Sequence, residues 1–190
     1  MIGRDTIAAI ATPPGIGGIG VIRISGTAAE EIARRLFRAA RPLKAFLSHH
    51  LYHGEIVAPE TGAVLDDVLV TLMKGPHTYT GEDTLEINCH GGPMILRTVL
   101  AEVVQAGARL AARGEFTKRA FLNGRLDLSQ AEAVLDMITA KTPEGVAAAV
   151  NRRKGILSGR IEVIRNAVID LLAGIEAAID FEIGRASCRE

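Results

Sequence analysis

From Thr84 to His90 the chain alternates, with Leu85, Ile87 and Cys89 on one side and Thr84, Glu86, Asn88 and His90 on the other. Such period-two alternation predicts a half-buried strand, whose polar face lines up a carboxylate, an amide and an imidazole. Gly91-Gly92-Pro93 breaks the strand, and an apolar helical pattern follows over residues 94–106. Upstream, residues 5–11 are apolar enough for a first strand. A rigid Gly/Pro loop over residues 12–20 feeds a second alternating strand at residues 21–25, as a hairpin or a crossover with a broad mouth. In that second strand a charge, Arg23, sits between Ile22 and Ile24. Thr27 as N-cap, with Glu30 three residues on, predicts a helix to about Ala39, striped by Ile32, Leu36 and Phe37. Residues 51–57 and 65–73 read as two strands around a Pro59-Glu60-Thr61-Gly62 turn, and residues 109–111 as a short strand.

From Glu115 onward the pattern is helical. A short helix over residues 115–123 ends at Gly124, and overlapping capping signals at Asp127/Gln130 and Ser129/Glu132 start a second helix that runs to about Ala140. Thr142-Pro143-Glu144 starts a third, predicted to run to Asp180 although Gly155 and Gly159 weaken its middle. Leu157, Ile161, Ile164, Val168, Leu171, Ile175 and Ile179 form a near-heptad seam that needs another helix to cover it. The expected organisation is therefore an α+β domain over residues 1–118 and an all-α segment over residues 119–181. Residues 182–190 abandon the helical pattern and read as non-native sequence, so the natural protein is expected to continue beyond Phe181.

Composition narrows the function classes. The 190 residues are 48% apolar and 23% charged, which is ordinary globular composition. Lys+Arg and Asp+Glu both total 22, which argues against a whole-domain electrostatic nucleic-acid binder but not against a local patch. Arg152-Arg153-Lys154 with Arg160 is one such cluster, read here as a solvated helix face. No signal sequence or membrane-length apolar run is present, so the expected location is cytoplasmic. Cys89 and Cys188 make neither a disulfide framework nor a metal quartet, and His49, His50 and His53 read as loop and strand histidines.

The chemistry is that of recognition. The chain contains no G-x-x-x-x-G-K-[ST], G-x-S-x-G, C-x-x-C or H-E-x-x-H. Gly15-x-Gly17-x-x-Gly20 matches a dinucleotide fingerprint formally, but its glycines feed a β-branched strand where pyrophosphate needs a helix N-terminus. Glu86, on a polar strand face, can accept two hydrogen bonds side by side, which suits a planar ligand with adjacent N–H donors. Arg23, flanked by apolar neighbours, must find an anion or an acceptor. A structural Arg23–Glu86 pair and two separate ligand contacts are both open on the residues alone.

Several blocks then carry a family resemblance, in order. They are Asp5-Thr6-Ile7, Ala11-Thr12-Pro13-Pro14-Gly15, Gly17-Gly18-Ile19-Gly20 and Arg23-Ile24-Ser25-Gly26, then Tyr79-Thr80-Gly81-Glu82-Asp83 and His90-Gly91-Gly92. Gly114-Glu115-Phe116-Thr117, Arg119-Ala120-Phe121-Leu122-Asn123-Gly124, Gln130-Ala131-Glu132-Ala133 and Glu176-Ala177-Ala178-Ile179-Asp180-Phe181 complete the set. Together they resemble the N-terminal part of the MnmE (TrmE) tRNA modification GTPase family. The resemblance implies a tetrahydrofolate-binding-domain-like fold, a homodimer and a helical domain interrupted by a G domain using GTP with K⁺ and Mg²⁺. It further implies a flavoprotein partner, MnmG, and modification of the wobble uridine, U34, of tRNA at C5. The implied ligand is 5-formyl-tetrahydrofolate or 5,10-methylene-tetrahydrofolate, contacted by Arg23, Glu86 and the basic residue after Asn123-Gly124. That residue is usually Lys in the family and is Arg125 here, which alters the contact geometry. Tyr79 and the loop over residues 15–20 are the implied walls. Competing readings are a dimerisation scaffold in which Arg23 and Glu86 merely pair, and a folate-dependent aminomethyltransferase, against which the helical continuation counts.

Overall fold

A computed structural model describes residues 5–186, without the side chains of residues 157 and 181–186. The chain divides into two compact units, Met1–Arg125 and Leu126–Glu190. The division falls after Arg125, not after residue 118, because the segment 119–125 stays bound to the first unit. Arg119 bonds to Asp5 and Glu82, Asn123 Nδ2 to the Thr80 carbonyl at 2.7 Å, and Arg125 Nε to the Thr78 carbonyl at 3.1 Å.

The first unit is built on one sheet. Its strands are β1 (Ile7–Ile10), β2 (Ile19–Ser25), β3 (Phe37–Ala39), β4 (His50–Val57), β5 (Val64–Met73), β6 (Thr84–His90) and β7 (Arg109–Leu110), in the order β3-β4-β5-β6-β2-β1-β7. All pairs are antiparallel except β1 with β7. β1 and β2 are therefore the hairpin form of the two arrangements expected. One face of the sheet carries Ile22, Ile24, Ile56, Val70, Leu72, Leu85 and Ile87 into the core. Helices α1 (Ala29–Leu36) and α2 (Pro93–Gln105) close it with Ile32, Leu36, Leu96, Val99 and Val103. Each such side chain contributes about 1.5–3 kcal/mol on full burial. The alternation read from β6 holds, so its opposite face presents Thr84, Glu86, Asn88 and His90.

Two expectations fail around α1. The helix starts at Ala29 with Ala28 in the cap position, where no side chain caps it; instead Thr6 Oγ1 accepts from the Ala28 N–H at 3.0 Å. It also stops at Leu36, because Phe37 turns extended and pairs with Ile56 as β3, its ring 6.1 Å from that of Phe46. Tertiary pairing thus overrides three more residues of helical pattern.

The first unit ends with α3 (Glu115–Leu122), and the second contains α4 (Leu128–Thr139), α5 (Pro143–Arg153) and α6 (Ile156–Ala186). The Asp127/Gln130 capping box and the Thr142 cap form as the spacing predicts. The single third helix does not: Gly155, at φ 74°, ends α5, whereas Gly159 passes inside α6. Helical backbone continues through Ala186, past the expected break at residue 182, since Glu, Arg and Ala are good helix formers whatever their origin. Cys188 lies outside the described residues. Ile161, Ile164, Val168, Leu171, Ile175 and Ile179 are all exposed. Arg152 of the basic cluster pairs with Asp136 of α4.

Candidate functional site

Arg23 lies directly opposite Glu86 in the β2/β6 register, on the sheet face away from α1 and α2. Cross-strand neighbours on one face stand about 5 Å apart at Cβ, close enough for the two side chains to meet. They do meet: Arg23 Nε donates to Glu86 Oε1 at 2.7 Å, and its Nη2 reaches the same oxygen at 2.7 Å. Both contacts fall on Oε1, so Glu86 Oε2 and Arg23 Nη1 have no protein partner among the described residues. No unpartnered side-chain N or O atom is buried among the described residues, so both atoms reach solvent. The guanidinium also stands 5.7 Å from the centre of the Tyr79 ring and 6.0 Å from that of Phe116. The result is a charged pair, one oxygen and one N–H group open, with two aromatic rings beside its guanidinium.

The segment 78–83 is held from several sides. Tyr79 Oη shares a hydrogen bond with Thr117 Oγ1 at 2.8 Å, which fixes its ring beside Arg23. The Thr78 and Thr80 carbonyls on either side accept from Arg125 and Asn123. Arg125 is thereby tied to the residue next to Tyr79, its Nε occupied by the Thr78 carbonyl. Glu82 accepts from Ser25 Oγ at 2.7 Å and from the Arg119 Nη1 at 3.2 Å. Arg119 is 3% exposed and gathers Asp5, Glu82 and Glu115 around one guanidinium. The cluster continues to Arg109, whose hydrogen bond is the chief cause holding the Glu115 carboxyl at about 2. Arg109 likewise lowers Asp5.

At the other end of β6, His90 Nδ1 meets Asp66 Oδ1 at 2.6 Å, and Asp66 Oδ2 accepts from the His90 backbone N–H at 2.8 Å. The side-chain bond from the ring to Asp66, with the Asp66 charge, raises the His90 pKa. His90 is four residues from Glu86, roughly 13 Å along a strand. The glycine loop sits at this far end too, Gly17 N–H donating to the Gly91 carbonyl at 3.3 Å. A methyl group at Gly91 would run into the Gly17 carbonyl, so glycine is required there for close approach. The structure thus places Tyr79 beside Arg23 and the loop near His90. Cys89 faces the core, where burial pushes its thiol up to about 12. His49 Nε2 contacts the His77 carbonyl, His50 Nδ1 the Ser48 carbonyl and His53 Nε2 Asp67.

Sequence reasoning missed Phe116 and Arg119. Both lie on α3, too short for periodicity to separate an inward face from an outward one. A charged side chain that ends up buried leaves no hydropathy signal at all.

Residues 6–125 match the family model described as GTP-binding protein TrmE N-terminus, and residues 128–187 match the MnmE helical domain. The chain belongs to the TrmE family. Among curated TrmE-family relatives, the tRNA modification GTPase MnmE of Syntrophus aciditrophicus is 55% identical over 178 residues, covering 94% of this chain and 39% of the relative. That of Acetivibrio thermocellus is 55% identical over 181 residues, 95% of this chain and 39% of the relative. That of Symbiobacterium thermophilum is 53% identical over 182 residues, 95% of this chain and 40% of the relative. The chain therefore spans about two fifths of the length of these TrmE-family proteins. Its α+β unit and helical unit follow the order of the two family models.

Proposed function

We propose that this chain is the folate-binding, dimer-forming portion of a GTPase that modifies U34 of tRNA at C5 together with a flavoprotein partner, MnmG. The observation that carries the tRNA and GTPase part is the match to proteins named tRNA modification GTPase MnmE over 94% of this chain. GTP hydrolysis, with its K⁺ and Mg²⁺, is assigned in this reading to the portion of those relatives that the chain does not span.

The folate part rests on the open pair with aromatic rings beside its guanidinium. A pterin edge offers adjacent N–H donors, and Glu86 Oε2 is an acceptor without a protein partner among the described residues. In this reading Arg23 does two things: it orients Glu86 through Oε1, and it presents Nη1 to a ligand carbonyl. Tyr79 and Phe116 flank the ring. Arg125, anchored through Nε, keeps its terminal nitrogens for a carboxylate of 5-formyl-tetrahydrofolate or 5,10-methylene-tetrahydrofolate. The bound folate supplies the one-carbon unit, and this chain's residues bind and orient it.

Calorimetric titration with 5-formyl-tetrahydrofolate tests the assignment. Charge-assisted hydrogen bonds are worth about 1.5–3 kcal/mol, so Glu86→Gln should weaken binding by at least about ten-fold. Glu86→Ala should cost more affinity than His90→Ala; equal losses would count against the pterin contact. The Arg23–Glu86 ion pair also favours a second reading, a dimerisation scaffold with a purely structural pair. A folded dimer that binds no folate would put that reading first. The tRNA role is tested by grafting this chain onto the remainder of a relative and measuring C5-modified U34 by mass spectrometry.

A further inference from the structure

Between Ile32 and Gly54 the chain has no Asp or Glu, yet it carries Arg34, Arg35, Arg38, Arg41, Lys44 and three histidines. In a molecule of zero net charge this run is one-signed, although in the fold Glu30 and Glu55 meet Arg34 and Arg38, and Glu60 and Glu102 line a separate cleft with Arg35. The fold gathers it at the β3 edge of the sheet, with the last turn of α1 supplying Arg34 and Arg35, β3 Arg38, and the following loop Arg41 and Lys44. All five are exposed. Glu30 holds Arg34 and Glu55 holds Arg38, but Arg35, Arg41 and Lys44 make no ion pair or hydrogen bond among the described residues. Three unpaired cations on one edge are open to an anionic partner.

Aromatic rings lie beside Arg34 and Arg41. Phe46 stands 6.1 Å from Phe37 and edge-on to Tyr52 at 5.4 Å, and the Arg34 guanidinium lies 5.9 Å over the Phe46 ring. Phe37, Phe46, Pro42, Arg34 and Arg41 line a cleft of about 250 Å³. Arg41 also borders a second cleft of about 320 Å³, with Leu51, Tyr52 and His53. No carboxylate lines either cleft. Phe37 and Phe46 are partly buried and packed against the core, so they floor a cleft instead of projecting as a bilayer wedge would. Unpaired cations that track a backbone, beside aromatic faces that accept bases, are the two components of single-stranded nucleic-acid recognition.

We propose that this edge binds single-stranded RNA. Arg35, Arg41 and Lys44 take phosphates, and a base enters the cleft against Phe37 and Phe46 under Arg34. The inference rests on the tRNA reading above and names the surface that serves it.

Fluorescence anisotropy of the 190-residue chain with a labelled single-stranded RNA of about 15 nucleotides tests it. The triple variant Arg35→Glu/Arg41→Glu/Lys44→Glu breaks no native ion pair. It should weaken RNA binding at least about ten-fold and flatten the log–log salt slope by about 2, at roughly 0.7 per phosphate lost. Phe46→Leu, checked for folding by thermal melting, should weaken RNA several-fold while leaving an abasic sugar-phosphate oligomer unaffected. Unchanged RNA affinity in the triple variant, equal affinity for RNA and the abasic chain, or preference for phosphatidylserine vesicles over RNA would each overturn the proposal. The grafted protein separates the two failures. Normal U34 modification with the triple variant sinks this surface alone, whereas no modification with the unaltered chain sinks the tRNA reading.

Discussion

Arg119 is the side chain on which most of the first unit's polar order depends. It is 3% exposed and bonds to Asp5, Glu82 and Glu115, so removing its charge takes a cation from three carboxylates at once and leaves Glu82 with Ser25 alone. Breaking a buried pair from one side typically costs 3–5 kcal/mol, and Arg119→Met should lower stability by roughly 3 kcal/mol in urea unfolding. Glu115 gives the cluster a pH signature. Its folded pKa, about 2, lies below the ordinary carboxylate value, so its contribution is full above about pH 4.5 and is lost as pH falls through about 2. Wild type should therefore melt roughly 5 °C above Glu115→Gln near neutral pH, with the gap closing towards pH 2. Neither residue announces itself in the sequence. Glu86 does, because a strand's period of two assigns each side chain to a face. Arg23 is legible for the same reason, but whether it pairs with Glu86 depends on strand register, which no local pattern carries.

At the scale of elements, the caps of α4 and α5 were readable, whereas the cap expected at Thr27 was not. Asp127 with Gln130 and Thr142 before Pro143 form the predicted caps because the spacing itself makes the hydrogen bonds. Where the pattern misled, a neighbour decided. The helical stripe through Phe37 gave way to pairing with β4, and the long third helix broke at Gly155. Gly155 adopts φ 74°, and an added Cβ would come within 3.1 Å of Gln130 Nε2. Gly155→Ala should destabilise the second unit by about 1 kcal/mol, seen as an earlier helical melt by circular dichroism, because an L side chain strains the left-handed turn. Gly91→Ala acts on the first unit. Its methyl group would displace the Gly17 carbonyl and loosen the loop over residues 12–18, which should appear as faster amide exchange in that loop.

At the scale of the molecule, the sheet order has a consequence for how the protein lives. β2 and β6 are neighbours in space, but Arg23 and Glu86 are 63 residues apart in the chain. During synthesis the guanidinium emerges long before its carboxylate, and the paired site exists only once the sheet has closed. A folate that binds there rewards the finished sheet alone, and at one hundred times its dissociation constant it adds about 2.7 kcal/mol. The melting temperature should rise with 5-formyl-tetrahydrofolate in wild type and stay flat in Glu86→Gln, as scanning calorimetry can record. On the folate reading proposed above, nutrient supply becomes a folding factor. On that reading a cell carrying a destabilised first unit, such as Arg119→Met, would keep the protein while folate is plentiful and lose it to proteolysis in scarcity, so a structural lesion would surface as a metabolic one.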